Sequence, residues 1–291
     1  MAIVDFTDLV KHAVDRGYRL AVIGIPSLPA ISASLQSASR QDAPIVFAVA
    51  GEDLDNGLLP SVEAMARKAS IPVALIGWEI SGTEQAVLAI RLGCNALLLA
   101  DGLDGVQVTA IQEIAASCGI PVANDLVKAD EFMDMTRSLD PDKLSLSFAT
   151  SVSWRQFNET IEQSVQAVVS RSIEESGASG QGHDALAHCA GWNPVEHLII
   201  YNTTTDEKAA QELAAEGRRV LDKIPGVRTT WSGCSVREDA DYRWCWLIRF
   251  AHVAVIDSYR EHPDHVRYAN NHFRPVAGNR ISIDYLLTGA E

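Results

Sequence analysis

Two successive rhythms in the sequence predict a chain of mixed class, α/β in its first part and α+β in its second. From residue 18 to 149 short apolar runs alternate with helix-length stretches, the pattern of parallel strands covered by helices. After residue 194 the runs are spaced as paired strands with two helical regions, which reads as a ferredoxin-like fold. Between them ESGASGQGHDALAHCAGW, residues 175–192, is rich in Gly, Ser and Ala and carries neither period. The expected organisation is a first domain over 1–174, a linker over 175–193 and a second domain over 194–291.

In the first part the strand runs are YRLAVIGI (18–25), PIVFAVA (44–50), PVALIGW (72–78), NALLLA (95–100), PVANDLV (121–127) and KLSLSFA (143–149). They are apolar on both faces, as strands buried between helix layers must be. The helix between the third and fourth runs, SGTEQAVLAIRLG, is expected to open on a capping Ser81 or Thr83, to place Ala86, Ile90 and Leu92 near one face, and to stop at Gly93.

In the second part EHLIIYN (196–202) reads as a strand and DEKAAQELAAEGRRVLDKIPG (206–226) as a helix stopped by Pro225 and Gly226. TTWSGCSV (229–236) and YRWCWLIRFA (242–251) read as strands, VAVIDSYREHPDHVRYANNHF (253–273) as a second helical region, and RISIDYLLT (280–288) as a closing strand. Along the fourth of these segments Tyr242, Trp244 and Trp246 alternate with Arg243, Cys245 and Leu247, so both sheet faces carry large side chains. Helices cover one face, and a second copy packed sheet against sheet would cover the other, which predicts a homodimer.

Bulk composition narrows the function. The 291 residues carry a net charge of −14, with −12 of it in residues 1–193 and −2 in 194–291. Nucleic acid is therefore not expected as a partner, because its affinity rests on Lys and Arg neutralising phosphates. No run reaches the ~20 apolar residues of a membrane-spanning helix, and MAIVDFTDLVKH has acids where a signal peptide has lysines, so the expectation is a cytoplasmic protein with no membrane partner. The five cysteines are scattered without metal spacing and read as free thiols. Nothing in the sequence calls for a metal or another cofactor.

The segments EHLIIYN, KIPGV, WSGCSV, SYREHPDHVRYANNHFRP and ISIDYLL, in that order and spacing, resemble the dimeric α/β-barrel (Dabb, stress-responsive) family across nearly all of 194–291. The resemblance implies a ferredoxin-like dimeric α/β barrel. It leaves function open, since some members are assemblies without known chemistry and another closes a polyketide ring by an aldol-type step. The Tyr and His to which that cyclase's chemistry is assigned match Tyr259 and His265. Its strand-start histidine, middle histidine and closing Asp-Tyr match His197, His262, Asp284 and Tyr285, which are the candidate substrate-binding residues.

The residues themselves fit such roles. Pro263 suits the first position of a helix, which makes His262 the cap and puts His265 in the first turn, where the positive helix end favours a neutral imidazole. A neutral His265 can act as base, and a Tyr259 hydroxyl brought near by the bend can donate to a carbonyl becoming an enolate. The competing reading is structural: both histidines only cap the helix, Asp284 pairs with a surface arginine rather than orienting a histidine, and His197 is a satisfied core residue. The two function classes are thus a lyase or cyclase acting on a small-molecule carbonyl compound, and a non-catalytic binding or assembly protein.

The first part is similar to the class II fructose-bisphosphate aldolases through LVKHAVDRGYRLAVIGIPS, PIVFAVAGEDL, IPVALIGWEISGTEQAVLAIRLGCNALLLADG, CGIPVANDLV and LDPDKLSLSFATSV, over roughly 1–155. That resemblance implies a partial or degenerate (β/α) TIM-like barrel. The family's catalytic aspartate and zinc histidine would stand at the end of the third strand, where this chain has Ile76, Trp78 and Glu79. ATSVSW (149–154) replaces the later histidine segment, and no histidine lies between 13 and 182, so the family zinc site is not expected and a working metal-dependent class II aldolase ranks third and last among the function readings. Glu79, Asp101 and Asp125 follow predicted strands, where α/β sites gather, and three acids there could hold Mg²⁺ or transfer a proton; with no base or nucleophile beside them, the reading preferred is loop acids or caps.

Overall fold

The computed structural model describes residues 3–16, 20–24, 27–122, 136–139 and 192–286. Asp125, the run KLSLSFA and the expected linker up to residue 191 lie outside the described residues. The chain divides into two compact units that part between Gly191 and Trp192.

The first unit alternates helix and strand: α1 (Phe6–Arg16), β1 (Leu20–Gly24), α2 (Leu28–Arg40), β2 (Ile45–Ala50), a 3-10 turn (Gly51–Asn56), α3 (Leu59–Ala66), β3 (Val73–Ile80), α4 (Thr83–Arg91), β4 (Ala96–Leu99), α5 (Gly105–Ser117) and β5 (Thr136–Leu139). The strands form one parallel sheet in the order β4-β3-β2-β1-β5. Strands β1 to β4 each lie beside the one before, the sequential winding found in a TIM-like barrel. Later chain extends both edges: Val122 bridges Leu97 beyond β4, and β5 joins the free side of β1.

The apolar runs become strands because both faces are covered. Val73, Ala74, Leu75 and Ile76 are all fully buried, and each aliphatic side chain larger than alanine contributes about 1.5–3 kcal/mol on burial. Buried Asn95 ties this core together, its side-chain oxygen accepting from Leu75 N–H at 3.0 Å while its amide donates to the Val4 carbonyl. Helix starts follow local chemistry: Asp104 and Gln107 form a reciprocal capping box on α5, at 2.8 and 3.2 Å, worth about 1 kcal/mol. The expected cap of α4 is corrected. Gly82 holds that position, and Gln85 Oε1 turns back to accept from Ser81 N and Oγ at 2.8 and 2.9 Å, so the serine donates instead of capping.

The second unit runs β6 (Val195–Thr203), α6 (Glu207–Leu221), β7 (Val227–Cys234), β8 (Trp244–Phe250), α7 (Val255–Glu261), α8 (Pro263–Tyr268), a π-helical turn (Ala269–Phe273) and β9 (Ala277–Leu286). Its antiparallel sheet has the order β7-β8-β6-β9, the βαββαβ ferredoxin-like arrangement. In β8 Trp244, Trp246, Ile248 and Phe250 are buried, and Cys245, Leu247 and Arg249 between them are half-exposed. The other face is open. Trp231, Leu247, Leu198 and Ile283 stand side by side across all four strands, and Cys245, Ile200 and Ile281 form the next row. Among the described residues no helix is long and apolar enough to cross a membrane.

Candidate functional site

The break between α7 and α8 makes the site. Pro263 has no N–H to continue α7 and opens α8 with His262 as its cap. The His262 Nδ1 accepts from Asp264 N–H at 3.2 Å. An unbroken helix would use that N–H on the Arg260 carbonyl; here His265 Nδ1 serves that carbonyl instead, at 2.9 Å. A carbonyl only accepts, so His265 carries its proton on Nδ1 and keeps Nε2 bare. By the same logic His262 has a bare Nδ1 that is already used.

The His265 ring lies against the phenol of Tyr259, centroids 4.5 Å apart, and Phe250 packs on the same phenol at 4.8 Å. Both residues line a hollow of about 30 Å³ with Ile199, Trp246, Tyr268 and Phe273, enough for one or two waters. Tyr268 spends its hydroxyl on the Leu213 carbonyl at 2.8 Å, whereas the Tyr259 hydroxyl makes no hydrogen bond to another described residue. Burial, reinforced by Tyr268, holds the Tyr259 phenol far above its ordinary proton affinity, so it stays a donor. Burial also lowers the pKa of His265; the Arg260 carbonyl opposes this, and the neighbouring Arg274, His197 and Arg260 add to the lowering. His265 is thereby neutral at pH 7.

On the sheet side His197 of β6 is opposite Asp284 of β9 in register, and its Nδ1 lies 2.6 Å from the carboxylate. The His197 ring is 5.7 Å from Phe250 and 6.4 Å from Tyr259. Asp284 therefore pairs with a histidine and not with an arginine. His262 caps α8, and burial lowers its pKa. Tyr285 is not brought to this site: neighbours on a strand point to opposite faces, and its register partner Glu196 pairs with Arg249, whose guanidinium lies over Trp231 on the open face.

Four of the six candidate residues thus gather, Tyr259 and His265 on the hollow and His197 with Asp284 beside them. Sequence reasoning missed Tyr268 and Gly217. The signal was a glycine inside an otherwise Ala- and charge-rich helix, where a Cβ would stand 2.5 Å from Tyr268 Oη. In the first unit Glu79 and Asp101 are exposed at strand ends, and Glu79 has φ +52° where the β3–β4 register shifts. Among the described residues no group of three or more His, Cys, Asp or Glu could hold a metal ion.

The second unit is thus a ferredoxin-like α/β domain with a small hollow between its helices and its sheet. Residues 195–287 match the family model described as stress responsive A/B barrel domain, Dabb. No curated protein matches the chain. Among solved structures it is similar to a Dabb family protein with a ferredoxin-like fold, mll5499, from Mesorhizobium loti, at 21% identity and TM-score 0.31, covering 33% of this chain and 99% of that one. It is similar to the hydroxynitrile lyase of Passiflora edulis at 16% identity and TM-score 0.31, covering 35% and 99%. It is also similar to the YdjI aldolase of Escherichia coli K12 at 12% identity and TM-score 0.48, covering 61% and 98%.

Proposed function

We propose that the second domain binds a small uncharged carbonyl compound and abstracts a proton next to the carbonyl, as a lyase or cyclase of aldol type. The observation that carries this reading is the contact of Tyr259 with His265 on one hollow, where His265 keeps a bare Nε2 and the Tyr259 hydroxyl has no hydrogen-bond partner among the described residues. His265 Nε2 takes the proton from the carbon beside the carbonyl. The C–H electron pair moves toward the carbonyl oxygen, and the Tyr259 hydroxyl donates to that oxygen as its charge grows. The enolate then attacks a second carbonyl or takes the proton back. Among the described residues no lysine or arginine lines the hollow, which favours an uncharged substrate.

The protein acts as a homodimer in this reading, its open sheet faces packed together, and the scattered free thiols favour a cytoplasmic setting. We assign His197, Asp284 and His262 supporting roles around the substrate and Tyr285 to the dimer face.

The test is deuterium exchange at the α-carbon of butanone in D2O, followed by proton NMR, after a metabolite binding screen. The parent protein is expected to exchange faster than buffer, with His265→Ala and Tyr259→Phe each losing on the order of 10²-fold. Unchanged binding and exchange in both variants refute the site. A second reading, a non-catalytic binding or assembly domain, draws on the size of the hollow, about 30 Å³ against the roughly 300 Å³ or more of common ligand sites. Absence of both binding and exchange in the parent protein favours it.

A further inference from the structure

The ring of Tyr259 touches more than His265. His265 of α8 lies against it with centroids 4.5 Å apart, His197 of β6 has its ring 6.4 Å away, and Phe250 packs on it at 4.8 Å. Each imidazole is tied through Nδ1 to an acceptor that cannot donate: the Arg260 carbonyl for His265 at 2.9 Å, and the Asp284 carboxylate for His197 at 2.6 Å. We propose that Asp284 and His197 are positioning residues for Tyr259, the carboxylate fixing the tautomer and plane of the His197 ring so that it buttresses the phenol from the sheet side. This rests on the reading of Tyr259 and His265 given above.

The register makes the pair specific. His197 and Asp284 are 87 residues apart and meet only because β6 and β9 align at that point. A slip of one residue would present Tyr285 and turn the carboxylate to the other face. Asp284 also lies on the edge strand, with its side chain 37% exposed against 17% for His197, so the carboxylate reaches in from the rim rather than being buried with the phenol. The groups that face the two imidazoles are Asp284 from β9, Tyr259 and Arg260 from α7 and Arg274 from the turn before β9, and the two imidazoles interact with each other. Asp284 is the one carboxylate of that set. Without it, nothing in the set holds the His197 proton on Nδ1.

The experiment uses the full chain labelled with ¹⁵N-histidine and ¹³C-tyrosine, at a pH where the imidazoles are neutral. In the parent protein His197 and His265 are both expected as the Nδ1–H tautomer. Asp284→Ala should convert His197 to the Nε2–H form, leave His265 unchanged and shift the Tyr259 ring signals, whereas Asp284→Asn, which retains an acceptor, should keep the parent pattern. Butanone exchange in Asp284→Ala should lose at least about tenfold in kcat, the direction in which a mis-set imidazole tautomer acts, with KM unchanged and with rescue in Asp284→Asn. The proposal is overturned if His197 is Nε2–H in the parent protein, or if Asp284→Ala leaves its tautomer or the Tyr259 ring signals as they were. Parent protein without any exchange would instead remove the catalytic reading, and the tautomer and ring signals would still decide the pair.

Discussion

His265 donates Nδ1–H to the carbonyl of Arg260 across the break between two short helices. Its pKa is lowered chiefly by burial, as is that of His262. A histidine whose folded pKa lies below its ordinary 6.5 leaves the unfolded chain with more bound protons at mildly acid pH. Its contribution is therefore complete above about pH 6.5 and is lost as pH falls through the folded value. Thermal unfolding followed from pH 8 to pH 5 should show falling stability below that point, with a shallower loss in His265→Gln than in the parent. The comparison of the two proteins matters, because buried Asp5 in the first unit has a raised pKa and acts in the opposite sense.

Gly226 tests how the turn into β7 is built. Its φ is +83°, and a Cβ there would stand 2.3 Å from Val255 Cγ1 and 2.7 Å from Cγ2. Gly226→Ala combines a left-handed backbone cost of about 1–2 kcal/mol with an overpacking cost of about 1–3 kcal/mol. Gly57 has a similar φ of +74° but open space where a Cβ would stand, with nothing within 4 Å, so Gly57→Ala should show the backbone part alone. Urea unfolding of the two variants measures the difference, and adding Val255→Ala to Gly226→Ala should recover part of the steric loss.

The open sheet face gives a direct test of assembly. Trp231 and Ile283 are 43% and 41% exposed at the two ends of a row whose middle is Leu247 and Leu198. A charge at the end of that row is harmless in water and costly between two apposed sheets, since burying an unpaired ammonium costs several kcal/mol. Light scattering should therefore find a dimer for the parent protein and a folded monomer for Ile283→Lys. A parent monomer at all accessible concentrations would remove the proposed interface.

How much of this was legible follows from the range of each interaction. The first four strand runs were legible because a strand buried on both faces needs no partner to be recognised, and the His262 cap because Pro263 marks the helix start one residue on. Strand β5 was missed: TRSL is polar enough to read as loop, and only its place beside β1 makes it a strand. The His197–Asp284 pair depends on the register of strands far apart in sequence, which no local pattern encodes. Tyr285 was placed with Asp284 by resemblance although strand alternation already set the two on opposite faces.

Gly217 carries the last prediction, because it joins packing to the hollow. Helix α6 passes so close to α8 that a Cβ at Gly217 would stand 2.5 Å from Tyr268 Oη, 2.6 Å from its Cζ and 2.7 Å from Trp246 Cη2. In isolation a mid-helix glycine is about 1 kcal/mol worse than alanine, so Gly217→Ala would stabilise a free helix. Here the added methyl must move Tyr268 off the Leu213 carbonyl it donates to, and both displaced rings line the hollow. Overpacking of about 1–3 kcal/mol outweighs the helix gain, so net destabilisation is expected in urea. Truncating the tyrosine should reverse the sign: with Tyr268→Ala as background, Gly217→Ala is expected to cost less or to stabilise, and a double-mutant cycle measures that coupling. Additive effects of the two changes would show that the close approach does not govern stability, and that the glycine serves only the helix backbone.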